Sequence, residues 1–397
     1  MRLLVAPDSF KGSLDPLTVA RALTDGWARA RPADDVRLIP LADGGEGTLE
    51  SIKASDTGWL EMPAHARDPL DRPLEACFLR RGNAAVVEMA SASGLSRLTP
   101  GERDATAASS FGTGQVLAAA IGLGAREVVI GLGGSATTDG GAGVLVALGA
   151  RLLEADGRDL PNSAGGGGLR RLARLDLSGL SPVLGEVHLT VASDVSNPLL
   201  GELGAAATYG PQKGADANQV TQLDANLAHY AELLESATGT SVRNVPGAGA
   251  AGGTGAALLA IADRFASFTI RPGVEVVMEL TGFDAALASA DLVLTGEGHV
   301  DAQTAFGKTA QGVARRARAA GVPCICFGGG VEPAGIDALA AQGAVVVPVV
   351  ERPMSVADAM AAGSGPLTRA AERTARLLTL GGAGARQPAN RVIYESL

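Results

Sequence analysis

The sequence predicts an α/β protein, organised as a discontinuous flavodoxin-like parallel-sheet domain with a second, inserted α/β domain. Three observations lead there. Short, continuous apolar runs recur near both ends of the 397-residue chain, as in strands buried on both faces of a parallel sheet. Segments of helical spacing alternate with them. The middle of the chain breaks that alternation with runs that read as hairpins. At roughly 150 residues per domain, the length alone suggests two or three domains.

In chain order, Arg2–Pro7 (RLLVAP) reads as a strand, followed by a helix over Leu17–Ala30, a strand at Val36–Ala42 and a short helix at Thr48–Lys53. Residues 59–90, punctuated by Pro69, Pro73 and Gly82, read as hairpins. A helix (Thr113–Leu123), a strand (Val128–Leu132), a glycine loop, a further helix and a strand (Val187–Ser193) complete the insertion. The opening grammar then returns: strand Asp291–Gly296, helix Lys308–Ala320, strand Val322–Gly328, helix Gly335–Gln342, strand Ala344–Val350 and a final helix from Val356 to Leu380. The expected boundaries are 1–57 plus 285–380 for the flavodoxin-like domain, 58–284 for the insertion and 381–397 for a flexible tail.

Composition narrows the function classes. A hydrophobic content of 46% with 19% charged residues supplies a buried core and argues against disorder. The net charge of −9 disfavours a nucleic-acid partner, and 3% aromatic residues leave few stacking platforms. The uncharged stretch Val245–Ala262 is broken by glycines and a proline and fails as a membrane span. The apolar run Leu3–Ala6 is too short for a signal peptide, and Cys77, Cys324 and Cys326 do not form a disulfide framework. A cytoplasmic protein that binds neither membrane nor nucleic acid is expected. Of 33 basic residues only four are lysine, Lys11, Lys53, Lys213 and Lys308, and three of these sit in glycine-rich loops. A compact ammonium in such a loop suits phosphate as a point charge.

The segment 128–156 superficially fits a dinucleotide-binding fingerprint: a strand, Gly131-x-Gly133-x-x-Ala136, and Glu154 beyond. It lies mid-chain, and Ser135, Thr137, Thr138 and Asp139 make its turn longer and more polar than that fingerprint. Backbone amides of Gly133 and Gly134 with the hydroxyls of Ser135, Thr137 and Thr138 suit a phosphate cradle instead. The plain alternative is a glycine turn that packs a helix on a sheet. A second G-x-G-x-x-G, at Gly247, Gly249 and Gly252, follows no convincing strand. FGKT at 306–309 lacks the first glycine of a P-loop, since position 302 is alanine; Lys308 either binds phosphate or caps a solvated helix.

In open parallel sheets ligands bind beyond the carboxyl ends of the strands. Asp8, Ser9 and Lys11 follow the first strand, Asp43 to Glu46 the second, and Glu297 and Asp301 the third, so all are expected on one rim. Asp194 ends a strand of the insertion, with Asn197 three residues on and Lys213 in a following loop. An aspartate and an asparagine so placed hold a magnesium ion, position a hydroxyl, or merely make an Asx-turn. His65, His188 and His229 have no partner at metal spacing, and no G-x-S-x-G elbow occurs.

Taken together, APDSFKGSL (6–14), ADGGEGT (42–48), EMASASGL (88–95), GLGGSATTDGGAG (131–143), SDVSNPLLG (193–201), YGPQKGA (209–215), PGAGAAGGTGAAL (246–258) and LTGEGHVDAQTAFGKT (294–309) resemble the bacterial glycerate kinase type-1 family over residues 1–380. The resemblance implies ATP- and magnesium-dependent phosphorylation of D-glycerate in organic-acid (glycerate/glyoxylate) metabolism, with 2-phosphoglycerate the usual product and 3-phosphoglycerate the rival. Onto that chemistry the candidates map as follows: Asp194, Asp43 and Lys213 as catalytic groups, with Asp194 ahead of Asp43 as base; Asp8, Ser9, Lys11 and Glu46 for glycerate; Gly133, Gly134, Ser135, Thr137, Thr138 and Lys308 for ATP phosphates; Asn197, Glu297 and Asp301 for the metal. The competing classes are an NAD-dependent hydroxy-acid dehydrogenase, on Gly131–Ala136 and Glu154, and a non-enzymatic small-molecule sensor.

Overall fold

The structure, a computed structural model, describes residues 1–55, 57–301 and 309–383. Its backbone divides into two compact units, one holding Met1–Pro40, 285–301 and 313–383, the other Leu41–Asp284 and 309–312. The chain begins with strands β1 (Arg2–Val5) and β2 (Asp35–Leu38) in the first unit. The second unit contributes β3 (Leu60–Arg67), β4 (Pro73–Arg81), β5 (Ala84–Glu88), β6 (Glu127–Gly131), β7 (Arg151–Glu154), β8 (Leu172–Asp176), β9 (His188–Ala192) and β10 (Ser267–Arg271). The chain returns to the first unit with β11 (Leu292–Val300), β12 (Cys324–Val331) and β13 (Ala344–Pro348).

The first unit's sheet runs β13-β12-β11-β1-β2 with every pair parallel. Counted within the unit, this is the flavodoxin-like order that the apolar runs predict, and the strand order reverses between β1 and β11. Helix Pro16–Ala30 starts where the Asp15 carboxylate accepts from the Thr18 amide at 2.8 Å, with Pro16 preset in the first turn. Its buried stripe, Val19, Leu23 and Trp27, recurs every four residues and joins Leu3, Val5, Leu294 and Phe327 in one core. The last helix, expected unbroken from Val356 to Leu380, is two helices, Val356–Ala361 and Gly365–Ala383. Gly363 between them takes φ 60, left-handed backbone that ends a helix. Residues 381–383, expected in the tail, continue that helix. Lys308 and residues 384–397 lie outside the described residues.

The second unit's sheet runs β10-β9-β6-β5-β4-β3. The hairpins expected at 59–90 are the antiparallel pairs β3–β4 and β4–β5, whereas β5, β6, β9 and β10 are parallel. Their register sets Glu88 beside Gly131, Gly131 beside Ala192 and Ala192 beside Arg271, so four carboxyl ends form one straight edge. Phe78, Val87, Val116, Ile130, Val191 and Leu227 belong to the core that packs this sheet against its helices. Residues 41–55, expected with the first domain, pack with this unit. Helix Thr48–Ala54 buries Leu49 and Ile52, and its leading amides bond Glu88 on β5. No helix among the described residues is long and apolar enough to cross a membrane.

Candidate active site

In the first unit, backbone bonds run past the end of β1 and stitch it to β11. Ala6 donates to the Leu294 carbonyl at 2.7 Å and Asp8 to the Gly296 carbonyl at 2.9 Å, while Thr295 Oγ1 returns a bond to the Ala6 carbonyl at 2.8 Å. This seam carries Asp8, 7% exposed, alongside Glu297, 6% exposed, at the point where strand order reverses. The Ser9 amide donates to Asp8 Oδ1 at 2.6 Å. A Cβ added to Gly298 would stand 3.2 Å from the Lys11 nitrogen, so the 8–11 and 297–298 backbones touch directly. Asp301 stands four residues past Glu297, with His299 Nε2 4.0 Å from its carboxylate and 3.1 Å from Glu332. The expected rim of Asp8, Ser9, Lys11 and Glu297 is thus one place in the fold.

Asp43 and Glu46, expected on the same rim, belong to the second unit. The loop Asp43–Gly45 lies across the carboxyl edge of its parallel strands. The Gly133 amide donates to the Gly44 carbonyl at 3.2 Å, and a Cβ on Gly133 would stand 2.4 Å from Gly45 Cα. On the other side, Gly273 Cα lies so close that a Cβ there would meet the Asp43 carbonyl at 1.9 Å. The Gly273 amide, opening helix Gly273–Thr281, donates to Asp194 Oδ1 at 3.0 Å. One glycine therefore brings Asp43 and Asp194 together, 151 positions apart in sequence. Asp43 turns its own Oδ1 to the Gly45 amide at 3.1 Å, and Glu46 is exposed.

The 131–139 loop differs from its expected form. Gly133 and Gly134 reach solvent, but Ser135 is 7% exposed, and Thr137 and Thr138 are wholly buried with hydroxyls that have no hydrogen-bond partner among the described residues. The solvent-facing part of the loop is therefore the Gly133–Gly134 backbone rather than the three hydroxyls. Lys213 is 2% exposed and lies beneath the loop, where Nζ donates to the Thr137 carbonyl at 2.6 Å and to Ser135 Oγ at 3.0 Å. Burial pushes its ammonium down to about 7, with the charge of Asp139 opposing that shift. Asp139 is buried too and accepts from the Ser110 amide and hydroxyl and from the Gly141 and Gly143 amides; desolvation still raises its pKa. Lys213 therefore shapes the loop from below.

Asn197, expected as a metal ligand, is committed to its own loop. Nδ2 donates to the Leu203 carbonyl at 2.8 Å, and Oδ1 accepts from the Tyr209 hydroxyl at 2.9 Å. No group of three or more His, Cys, Asp or Glu side chains suited to a metal ion occurs among the described residues. The dinucleotide fingerprint also fails in three dimensions. The helix after the loop, Ala142–Ala147, starts six residues beyond Ala136, and Glu154 pairs with Arg171 at 3.2 Å. The second glycine motif is a packing device, since a Cβ on Gly252 would meet the Thr137 carbonyl at 1.9 Å.

Two residues escaped the sequence reading. Ala251 adopts φ 53 at the kinked start of helix Ala250–Ala260, a left-handed conformation hidden in a run of glycines. Glu88, at the end of β5, is buried and accepts from the Gly47 amide at 3.3 Å and the Leu49 amide at 2.9 Å. A carboxylate that closes an apolar strand was the available signal.

Comparison with known proteins gives the family of the chain. The model of the glycerate kinase family matches residues 3–379. A glycerate kinase of Halalkalibacterium halodurans is 44% identical over 376 residues, 94% of this chain and 97% of its own length. A glycerate 2-kinase of Escherichia coli is 41% identical, over 85% of this chain and 90% of that protein. A crystal structure of a glycerate kinase 2 candidate from Salmonella typhimurium LT2 matches with a TM-score of 0.78 at 40% identity, covering 96% of this chain and 99% of that one. With a family match spanning both sheets and the loops on their edges, the chain belongs to the glycerate kinase family and is an enzyme of the kinase class.

Proposed function

We propose that this enzyme transfers the γ-phosphoryl group of ATP to D-glycerate and forms 2-phosphoglycerate, acting in the cytoplasm in organic-acid metabolism. The observation that carries this reading is the glycine loop on the carboxyl edge of β6, supported from below by Lys213, in a chain whose E. coli relative is named glycerate 2-kinase. Phosphoryl transfer needs two anions placed in line and the growing charge neutralised, more than it needs covalent chemistry. The Gly133–Gly134 backbone takes the ATP phosphates, while Ser135, Thr137 and Thr138 hold the loop's inner wall. Asp8, Ser9 and Lys11 of the first unit, and Glu46 of the second, are each candidates for glycerate, Lys11 answering its carboxylate.

Asp194 accepts the hydroxyl proton, with Asp43 the second candidate. Asp194 Oδ1 is oriented by the Gly273 amide, which fixes the carboxylate without neutralising it. Magnesium, bound through one or two carboxylates and phosphate oxygens, fits Glu297 and Asp301, both hard oxygen donors. It supplies charge neutralisation at the phosphates when bound.

Purified protein incubated with D-glycerate, ATP and magnesium should release ADP in proportion to glycerate, and phosphorus NMR of the product should show the 2-phosphate. A 3-phosphate signal overturns the regiochemistry alone. Absence of glycerate-stimulated ADP release with any divalent metal overturns the reading entirely.

A further inference from the structure

Glu88 is a buried acid that the chemistry proposed above does not use. Its backbone continues β5 beside Gly131, and the Met89 amide donates to the Gly131 carbonyl at 2.9 Å, so its position is tied to the root of the glycine loop. Its carboxylate reaches the opposite way. One oxygen accepts from Gly47 and the other from Leu49, the first amides of helix Thr48–Ala54. No lysine, arginine or histidine pairs with it among the described residues. The charged groups that act on it are Glu46 in the loop and Glu50 on that helix, both acidic, with Cys77 on β4 beyond; Lys53, on the same helix, is paired with Glu61 at 2.7 Å, and Arg97 acts on Cys77.

Such a group is costly to keep. A buried carboxylate without a cation is tolerated where both oxygens accept strong bonds. A neutral carboxylic acid turns one oxygen into a donor and faces a backbone N–H with it. Here both bonds end on the segment that carries Asp43 and Glu46, and on the other side of that segment the Gly133 amide holds Gly44. The loop is clamped at two points, one of them conditional on charge.

We propose that Glu88 is a positioning residue of the reaction: as the anion it clamps the 43–47 loop to the carboxyl edge of the sheet, and its protonation loosens that loop. It touches no substrate. The role rests on the assignment of Asp43 and Glu46 to the reaction. The carboxyl is pushed up to about 7 by burial, with the Gly47 and Leu49 amides opposing and Glu46 and Glu50 adding to the rise. Activity should therefore weaken as pH falls through neutrality.

Two measurements test this. In the first, kcat and KM for glycerate and ATP are followed against pH for the wild type and Glu88→Gln. The wild type should lose activity on the acid side with a midpoint near neutral pH. The variant, whose amide cannot accept from both N–H groups, should lose that limb and show kcat/KM for glycerate at least ~10-fold lower at high pH, with KM for ATP little changed. A limb that persists in Glu88→Gln overturns the proposal. The second uses the wild type alone and is independent of whether the variant folds. Hydrogen-exchange protection of the Gly47 and Leu49 amides, corrected for intrinsic rate, should be lower at about pH 6 than at about pH 8. Equal protection overturns the clamp. A protein with no kinase activity defeats the functional reading yet leaves the exchange result to decide the clamp.

Discussion

Lys213 donates to the Thr137 carbonyl at 2.6 Å from a position almost wholly out of solvent. On the proposed reading, this loop presents its outer backbone to the ATP phosphates while Lys213 holds its inner side, out of their direct reach. The lysine still contributes positive potential through a low-dielectric interior, where charge is felt more strongly than in water.

Lys213→Met retains most of the stem and removes both hydrogen bonds. The Thr137 carbonyl and Ser135 hydroxyl lose their donor, so the loop should relax. We expect kcat to fall by ~100-fold or more, comparable to loss of a charge-stabilising donor. Steady-state kinetics on a variant with native circular dichroism checks this; a change in thermal stability alone would reduce Lys213 to a structural role.

The same residue predicts a pH-dependent stability. Its pKa is about 7 folded against 10.5 for an unburied lysine. Between those values the unfolded chain binds more protons than the folded one, so the Lys213 contribution to stability rises with pH across that interval and is least favourable below about 7. Urea unfolding of wild type and Lys213→Met at about pH 7 and about pH 9.5 should show the wild type gaining on the variant at the higher pH. A constant difference would mean that the buried amine does not titrate there.

Gly133→Ala adds a methyl group 2.4 Å from Gly45 Cα, and the atoms it meets are all backbone. The 43–47 loop must move away from the sheet edge. The expected result is a raised KM for both substrates or lost turnover in a protein whose secondary structure is intact, read by kinetics alongside circular dichroism. Unchanged kinetics would return the loop to a packing role.

Asp194→Asn and Asp43→Asn separate proton acceptance from orientation. Amide replacement keeps size and removes proton affinity, so the base should lose ~100- to 10,000-fold in kcat. A residue that only orients glycerate should instead show a raised KM. Asp194 is expected to show the kcat loss. If Asp194→Asn stays near wild type while Asp43→Asn is inactive, Asp43 is the base and Asp194 serves to cap helix Gly273–Thr281.

Ala251→Gly should stabilise the fold by about 1 kcal/mol, because left-handed backbone is strained for any residue with a Cβ. Thermal unfolding checks the sign. A destabilised variant would show that the Ala251 methyl, buried in the second unit's core, packs more favourably than its backbone is strained.

The α/β architecture was legible because it rests on local, repetitive signals. The apolar runs RLLV, LVLT and CICFG have no polar face, so they belong inside a covered parallel sheet, and helical spacing marked Leu17–Ala30, whereas the 22-residue helix Ala217–Thr238 was not foreseen. Glycine loops with a lysine nearby likewise marked the segments on the sheet edges. Tertiary structure alone decided what those residues do there. Whether a lysine faces solvent or lies under a loop depends on a carbonyl 76 positions away in Thr137, and whether Asn197 is available to a ligand depends on Tyr209 and Leu203. Asp43 reads as a companion of Asp8 because both follow early strands, yet Gly273 and Gly133 hold it among groups from far along the chain. Burial and hydrogen-bond partnership are sums over neighbours brought together by folding, and no local spacing encodes them.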